Sequence, residues 1–365
     1  MEVTCSQTDL SFALNTVSRA INNTNTLPVL NNVLIEAKEN ALYFSATNLE
    51  IAIKTKIAAK VDTEGGITIP ARLLTSYVQL LNEKKITLSV TRELSLELNS
   101  EHDYTKIKGI KVEEFPAIPV IEEESTAEIS AAKLLEVLQS TYFSASIHSS
   151  RPVLAGVFLK FENSQLIVAA TDSYRLAERK VELKKETQPF TAILPVRTAS
   201  ELIKLLASDP KASVLVKLSK NQIEFSFGEI TLVSRLIEGV FPDYEKIIPQ
   251  EEKTKITVGT SDLILAIKKI SLFAREVNNN MKLTVDQNSL TLSTDETKVG
   301  EGEITIPVKL TGEANQIAVN AQYLLEVLSA NPSKEVTIII NEKLSPLVVK
   351  PADNDYIYLI MPLKA

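Results

Sequence analysis

The 365-residue chain is poor in the residues that most often carry chemistry. Cysteine occurs once, at Cys5, so no intrachain disulfide can form, which fits a reducing cytoplasm. A lone cysteine without a neighbouring base reads as a small buried hydrophobe. Histidine occurs only at His102 and His148, neither with the spacing of a metal site. Ten glycines fall well below average usage, and no G-x-G-x-x-G or G-x-x-x-x-G-K-[ST] string is present, so phosphate-cradling loops are not expected. No apolar run reaches the ~18–20 residues of a membrane span. The opening "MEVTCSQTDL" lacks the basic-then-apolar order of a secretory signal. Cofactor and metal are therefore expected to be none. A net charge of −7 excludes a uniformly basic nucleic-acid coat but not a local basic surface.

What the chain does have is a long internal repeat. "LPVLNNVLIE" at 27–36 returns as "RPVLAGVFLK" at 151–160. "ALYFSATNLEIAIKTKI" at 41–57 returns as "QLIVAATDSYRLAERKV" at 165–181 and as "SLTLSTDETKVGEGEI" at 289–304. "EEFPAIP" and "GVFPDYEKIIP" close the first two copies. A period of about 124 residues is too long for a solenoid and reads as three tandem domains, 1–122, 126–250 and 253–365. Charged segments poor in apolar residues separate them.

Each copy shows two helical patterns of 3.6-residue period. The first kind carries Leu10, Leu14, Val17 and Ile21, then Leu134, Val137, Leu138 and Tyr142, then Leu263, Ile267 and Ile270, with Thr8, Ser130 and Ser261 as expected N-caps. The second kind follows Pro70, Pro195 and Asn320. Alternating runs such as "KITLSV", "SVLVKL" and "EVTIIINE" read as strands. The predicted fold class is α+β: strand, helix, three strands, taken twice, with both helices on one side of antiparallel sheets.

These motifs resemble the bacterial sliding clamp family, the β subunit of DNA polymerase III. The resemblance spans the whole chain and rests on the threefold repeat, "RPVLAGV", "ATDSYRLA", "FPDYEKIIP" and the terminal "MPLKA". It implies a DNA clamp fold, no catalytic activity, and two chains joined head to tail around double-stranded DNA. Twelve helices spaced ~8–10 Å apart would give a bore of about 35 Å. The six helical segments and their ends hold ten cations (Arg19, Arg72, Lys84, Lys85, Lys133, Arg197, Lys204, Lys268, Lys269, Arg275). Against them stand six anions: Asp9, Glu83, Glu136, Glu201, Asp262 and Glu326. An excess of four leaves −11 elsewhere, a basic lining in an acidic shell suited to sequence-blind phosphate contact. Arg19, Arg72, Lys133, Arg197, Lys204 and Lys269 are the candidate DNA contacts.

The resemblance also implies a peptide cleft between the second and third domains for the replicative polymerase, the clamp loader and repair polymerases. One wall is Leu154, Thr171, Ser173, Tyr174, Arg175 and Leu176, continuing to Pro242, Lys246 and Ile247. The facing wall is Asn320, Tyr323, Ser345, Leu359, Ile360, Met361, Pro362 and Leu363. Tyr174 stands where many members carry His, Lys246 where Arg is frequent, and Ala365 ends a shortened tail, so peptide preference is expected to differ. Asp172 is expected to serve local backbone or Arg175 rather than acid–base chemistry. The homodimer seam is expected at Tyr104 and Ile107 of one chain and Leu272 and Phe273 of the other, unless the latter pair completes its own core. Two other readings remain: a peptide-binding scaffold that does not encircle DNA, and a hydrolase using the 171–175 cluster, which lacks a paired base or nucleophile in sequence.

Overall fold

A computed structural model describes residues 1–22, 27–121, 124–146, 150–351 and 355–363. His148, Lys364 and Ala365 lie outside the described residues. The chain forms two compact units. Residues 1–132 and 200–236 make the first, and 133–199 and 237–365 the second. The division cuts the middle repeat in half, so each unit holds one complete end repeat and part of the middle one.

Six helices form: α1 Gln7–Val17, α2 Ala71–Leu80, α3 Ala131–Thr141, α4 Val196–Leu206, α5 Thr260–Ala274 and α6 Ala321–Ala330. The apolar stripe does what its period predicts. Leu10, Ala13, Leu14 and Val17 of α1 are buried, as are Leu263, Ala266, Ile267 and Ile270 of α5. Each fully buried Leu or Ile of this kind contributes ~1.5–3 kcal/mol of transfer free energy. The second-kind helices start directly after Pro70, Pro195 and Asn320, as expected. Two caps differ. The N-caps of α1 and α5 are Ser6 and Gly259, two residues before Thr8 and Ser261. Strand runs straight into helix at both places, so the hydroxyl residues fall inside the first turn.

The first unit contains a five-stranded antiparallel sheet, ordered Lys60–Thr63, Glu2–Ser6, Lys85–Val90, Ser95–Asn99, Tyr104–Lys108. Its eight-stranded sheet runs Ser125–Ser130, Ser213–Leu218, Gln222–Phe227, Ile230–Arg235, Ile51–Ala58, Ala41–Thr47, Asn32–Lys38, Gly65–Pro70. The second unit contains a nine-stranded sheet: Phe190–Pro195, Gly156–Glu162, Gln165–Thr171, Arg175–Glu182, Tyr356–Ile360, Leu347–Pro351, Glu335–Ile340, Thr254–Gly259, Lys309–Gly312. A four-stranded sheet, Glu303–Pro307, Ser289–Ser293, Asn280–Asp286, Asn315–Asn320, completes it. Both large sheets cross a repeat boundary. Ile230–Arg235 of the middle repeat pairs with Ile51–Ala58 of the first, and Arg175–Glu182 of the middle pairs with Tyr356–Ile360 of the third.

In the second unit α5 packs on α6 above a core that includes Met281, Leu283, Leu324, Ile338, Tyr356 and Tyr358. A smaller apolar cluster gathers Ala169, Leu176, Phe241, Tyr244, Ile339 and Leu359. Cys5 is 5% exposed, and burial, then the Asp9 charge, push its thiol up to about 12.

Candidate functional site: a corner and a seam in the second unit

The segment 171–175 is a hydrogen-bonded corner. Thr171 Oγ1 donates to the Arg175 carbonyl at 2.6 Å and accepts from the Ser173 amide at 3.1 Å. Asp172 Oδ1 accepts from the Tyr174 and Arg175 amides at 2.9 and 3.0 Å. Ser173 adopts a left-handed φ of 79° at the apex. Threonine and aspartate are suited to such turns because a short polar side chain can replace a backbone partner. Asp172 therefore serves local backbone and Arg175, as the sequence suggested.

Arg175 is held in place by several partners at once. Its side chain is 10% exposed. Nε donates to Asp172 Oδ2 at 3.0 Å, one terminal nitrogen pairs with Glu326, and the other donates to the Phe143 carbonyl at 2.7 Å. The guanidinium lies 4.4 Å from the Tyr323 ring centroid. Arg175 thus ties the corner to α6 rather than presenting a free cation. Glu326 and Phe143 are the partners that sequence reasoning missed, because they sit 151 and 32 residues away with no local pattern linking them.

The corner adjoins a seam between repeats. Arg175 and Leu176 lie opposite Ile360 and Leu359. Beyond the ladder, the Met361 amide donates to the Tyr174 carbonyl and the Leu363 amide to the Ala318 carbonyl, both at 2.8 Å. Met361, Pro362 and Leu363 are half-buried there. Asn320, two residues after Ala318, caps α6 by accepting from the Gln322 and Tyr323 amides. The 241–247 segment is anchored by Phe241 stacked on Phe158 at 4.9 Å and by the Tyr244 hydroxyl, which donates to Glu178 at 2.6 Å. Burial, then the Glu178 charge and this bond, hold the Tyr244 hydroxyl well above its usual range. That anchoring leaves Pro242, Lys246 and Ile247 exposed.

The candidate residues thus fall into three layers. Ser173, Tyr174, Pro242, Lys246 and Ile247 are exposed. Arg175, Asn320, Tyr323, Ser345, Met361, Pro362 and Leu363 are half-buried. Leu154, Thr171, Leu176, Leu359 and Ile360 are buried.

The other candidates are scattered more widely. Among the six DNA candidates, Arg19 pairs with Glu201 at 3.7 Å, Lys204 with the same Glu201 at 2.7 Å, and Lys133 donates to the Glu182 carbonyl. Arg72 and Lys269 are exposed, and Arg197 is half-buried. The expected excess of four cations counts the helix ends as well as the helices. Within the α-helix bounds there are six cations (Arg72, Lys133, Arg197, Lys204, Lys268, Lys269) and five anions (Asp9, Glu136, Glu201, Asp262, Glu326). Lys84 and Lys85 belong to a loop and a strand, and Arg19 and Arg275 to following 3-10 turns.

At the expected seam, Tyr104 is 60% and Leu272 66% exposed. Ile107 is corrected: at 6% exposure its side chain is buried in its own unit, and Tyr104, Lys106 and Lys108 are the outward residues of that strand. Residues three apart on a strand face opposite ways, so Tyr104 and Ile107 cannot share a surface. Phe273 is half-buried and packs over Gly302, where an added Cβ would come 3.0 Å from its ring.

Solved structures similar to this fold include sliding clamps. The DNA polymerase sliding clamp from Bacillus subtilis is 28% identical with a TM-score of 0.95, covering 100% of this chain and 99% of its own. The DnaN sliding clamp from Bartonella birtlesii, bound to griselimycin, is 27% identical with a TM-score of 0.94 and full coverage of both chains. The class is therefore a protein of three tandem clamp domains. Models of the N-terminal, central and C-terminal domains of the DNA polymerase III beta subunit match residues 1–119, 128–243 and 245–364. The beta sliding clamp of Synechococcus elongatus is 33% identical over 373 residues, covering 100% of this chain and 99% of the relative. That of Staphylococcus epidermidis is 30% identical over 375 residues with the same coverage. The chain belongs to the DNA polymerase III beta subunit family, the bacterial sliding clamps, which are non-catalytic processivity factors of DNA replication.

Proposed function

We propose that two copies of this chain pair head to tail into a closed ring around double-stranded DNA. The ring tethers the replicative polymerase, and the corner and seam of the second unit form the groove that receives short peptide segments of its partners. The observation that carries the ring is a pair of open sheet edges. Tyr104–Lys108 ends the five-stranded sheet, and Glu303–Pro307 ends the four-stranded one. Unpaired edges recruit another strand unless something covers them. The first edge turns Lys106 and Lys108 outward, and the second strand and the residues before it turn out Glu301 and Glu303. Lys106 is already paired with Glu93 and Glu97 of its own unit, so Lys108 is the cation that this edge offers to the acidic edge of the other copy. Exposed Leu272 lies near that acidic edge through Phe273 and Gly302 and gives the seam an apolar patch.

In a closed ring, retention is topological, so each phosphate contact can be weak and exchangeable. A near-balanced set of helix charges, several of them already paired, suits sliding better than tight binding. Arg19, Arg72, Lys133, Arg197, Lys204 and Lys269 are the candidate contacts, and Arg72, Lys133, Lys204 and Lys269 are exposed on their helices. No helix among the described residues is long and apolar enough to cross a membrane, and a cytoplasmic ring fits the single buried cysteine.

Light scattering tests the pairing. The expected mass is twice the 40.2 kDa chain. Lys108→Glu should weaken the dimer at least about tenfold, and adding Glu303→Lys should restore much of that loss. A monomer at micromolar concentration would contradict the ring.

A further inference from the structure

The internal repeat places a second version of the corner and seam in the first unit. Thr47 Oγ1 donates to the Ile51 carbonyl at 2.9 Å and accepts from the Leu49 amide, while Asn48 Oδ1 accepts from the Glu50 and Ile51 amides. Leu49 takes the left-handed apex with φ 75°, where Ser173 has 79°. Ile51 lies opposite Ser234 as Arg175 lies opposite Ile360. The next backbone bond also recurs: the Arg235 amide donates to the Glu50 carbonyl at 2.9 Å, as Met361 does to Tyr174 at 2.8 Å. These registers equate Thr47, Ala52, Val233 and Arg235 with Thr171, Leu176, Leu359 and Met361. Phe115-Pro116 likewise answers Phe241-Pro242 in the closing segments.

A cavity of about 220 Å³ opens at this place, lined by Ala52, Ile118 and Val233 beneath and by Leu49, Glu50 and Arg235 at its mouth. Its floor is apolar, and Ala52 and Val233 are buried in it. A leucine held exposed in a left-handed conformation is unfavourable in both respects. The lip chemistry differs from that of the other copy. Arg235 replaces an apolar Met361 and Glu50 replaces Tyr174, and no ion pair of either side chain is found among the described residues.

We propose that this cavity is a second peptide-docking groove, taking an extended segment whose aliphatic anchor is flanked by a carboxylate on one side and a lysine on the other. The inference rests on reading the second-unit groove as a peptide site. Ala52 in place of leucine deepens the floor for one aliphatic side chain. Arg235 and Glu50 give the mouth two opposite charges, so it selects a dipolar segment where the other groove presents a tyrosine and a methionine.

Methyl NMR of the full chain tests it, with Ile118 reporting this groove and Met361 the other. The probes are two acetylated, amidated pentapeptides, lysine-alanine-leucine-alanine-aspartate and its reverse. Saturable shifts of Ile118 with a Kd of about 1 mM or tighter are expected from at least one of them. Arg235→Glu should weaken that binding at least about tenfold and leave Met361 unmoved. No saturable Ile118 shift with either peptide, or one indifferent to Arg235→Glu, overturns the proposal. Titration with a polymerase-derived peptide separates the two grooves. Met361 responding while Ile118 stays silent to all probes defeats this inference alone, whereas a silent Met361 defeats the reading of the second-unit groove.

Discussion

Arg175 shows how one side chain can look like a contact and act as a strut. Its planar fork meets Asp172, Glu326 and the Phe143 carbonyl at once, with its face on Tyr323. Removing it leaves two carboxylates without their cation in a largely buried place. Arg175→Met is expected to lower unfolding free energy by about 3 kcal/mol in a denaturant titration. Arg175→Lys should recover only part of that, because an ammonium cannot make the fork. An unchanged midpoint for Arg175→Met would show that the strut carries nothing. Cys5 gives a pH prediction. Its thiol is pushed up to about 12 in the fold, against 9.0 for a free thiol. Between those values the unfolded chain has lost the proton and the native chain keeps it. Stability is therefore flat below about pH 9 and falls as pH rises, by at most ~1.4 kcal/mol per unit from this group. The buried hydroxyls of Tyr244, Tyr356 and Tyr358, all raised first by burial, steepen the fall above pH 10. Cys5→Ala should flatten the stability profile between pH 9 and 10, and an identical slope in the variant would contradict the assignment.

At the scale of elements, the sequence was most legible where local chemistry alone decides. Pro70, Pro195 and Asn320 each end a strand and immediately precede a helix, and Asn320 caps its first turn through two backbone amides. Asn320→Ala should cost about 1 kcal/mol by thermal or chemical unfolding and, if the second-unit corner and seam take peptides as proposed, weaken that binding by loosening the first turn that carries Tyr323. Unaltered stability would mean that the two capping bonds are replaced by water at no cost. Legibility failed where a boundary depends on what the chain leaves behind. Thr8 and Ser261 have the right side chains for caps, yet each follows a strand that turns directly into helix, so the cap falls at Ser6 or Gly259. Lys84 and Lys85 look like helix-end cations, but α2 stops at Leu80 and Lys85 opens a strand paired with Glu2–Ser6. The inward side of Ile107 follows from strand parity within Tyr104–Lys108, which the letters alone do not fix. The Arg175–Glu326 pair had no local signal at all. Within the candidate groove, the corner from Thr171 to Arg175 was readable as a turn, whereas the division into floor and surface required the ladder with Tyr356–Ile360.

At the scale of the whole molecule, each unit keeps one large sheet running across a repeat boundary and one small sheet ending in an open edge. The repeat reappears in backbone hydrogen bonds as well as in letters, which is why the corner at 47–51 mirrors that at 171–175 although only Thr47 and Thr171 are identical. If opposite charges join the open edges of two copies, added salt should promote dissociation, and sedimentation from 50 mM to about 1 M salt should show the monomer fraction rise. Closure around DNA is what would hold such a ring in place. The direct measurement is retention of the loaded protein on a nicked circular duplex before and after linearisation with a single cut. Stable retention on the circle and rapid loss from free linear ends are predicted, and equal retention on both would contradict a closed ring.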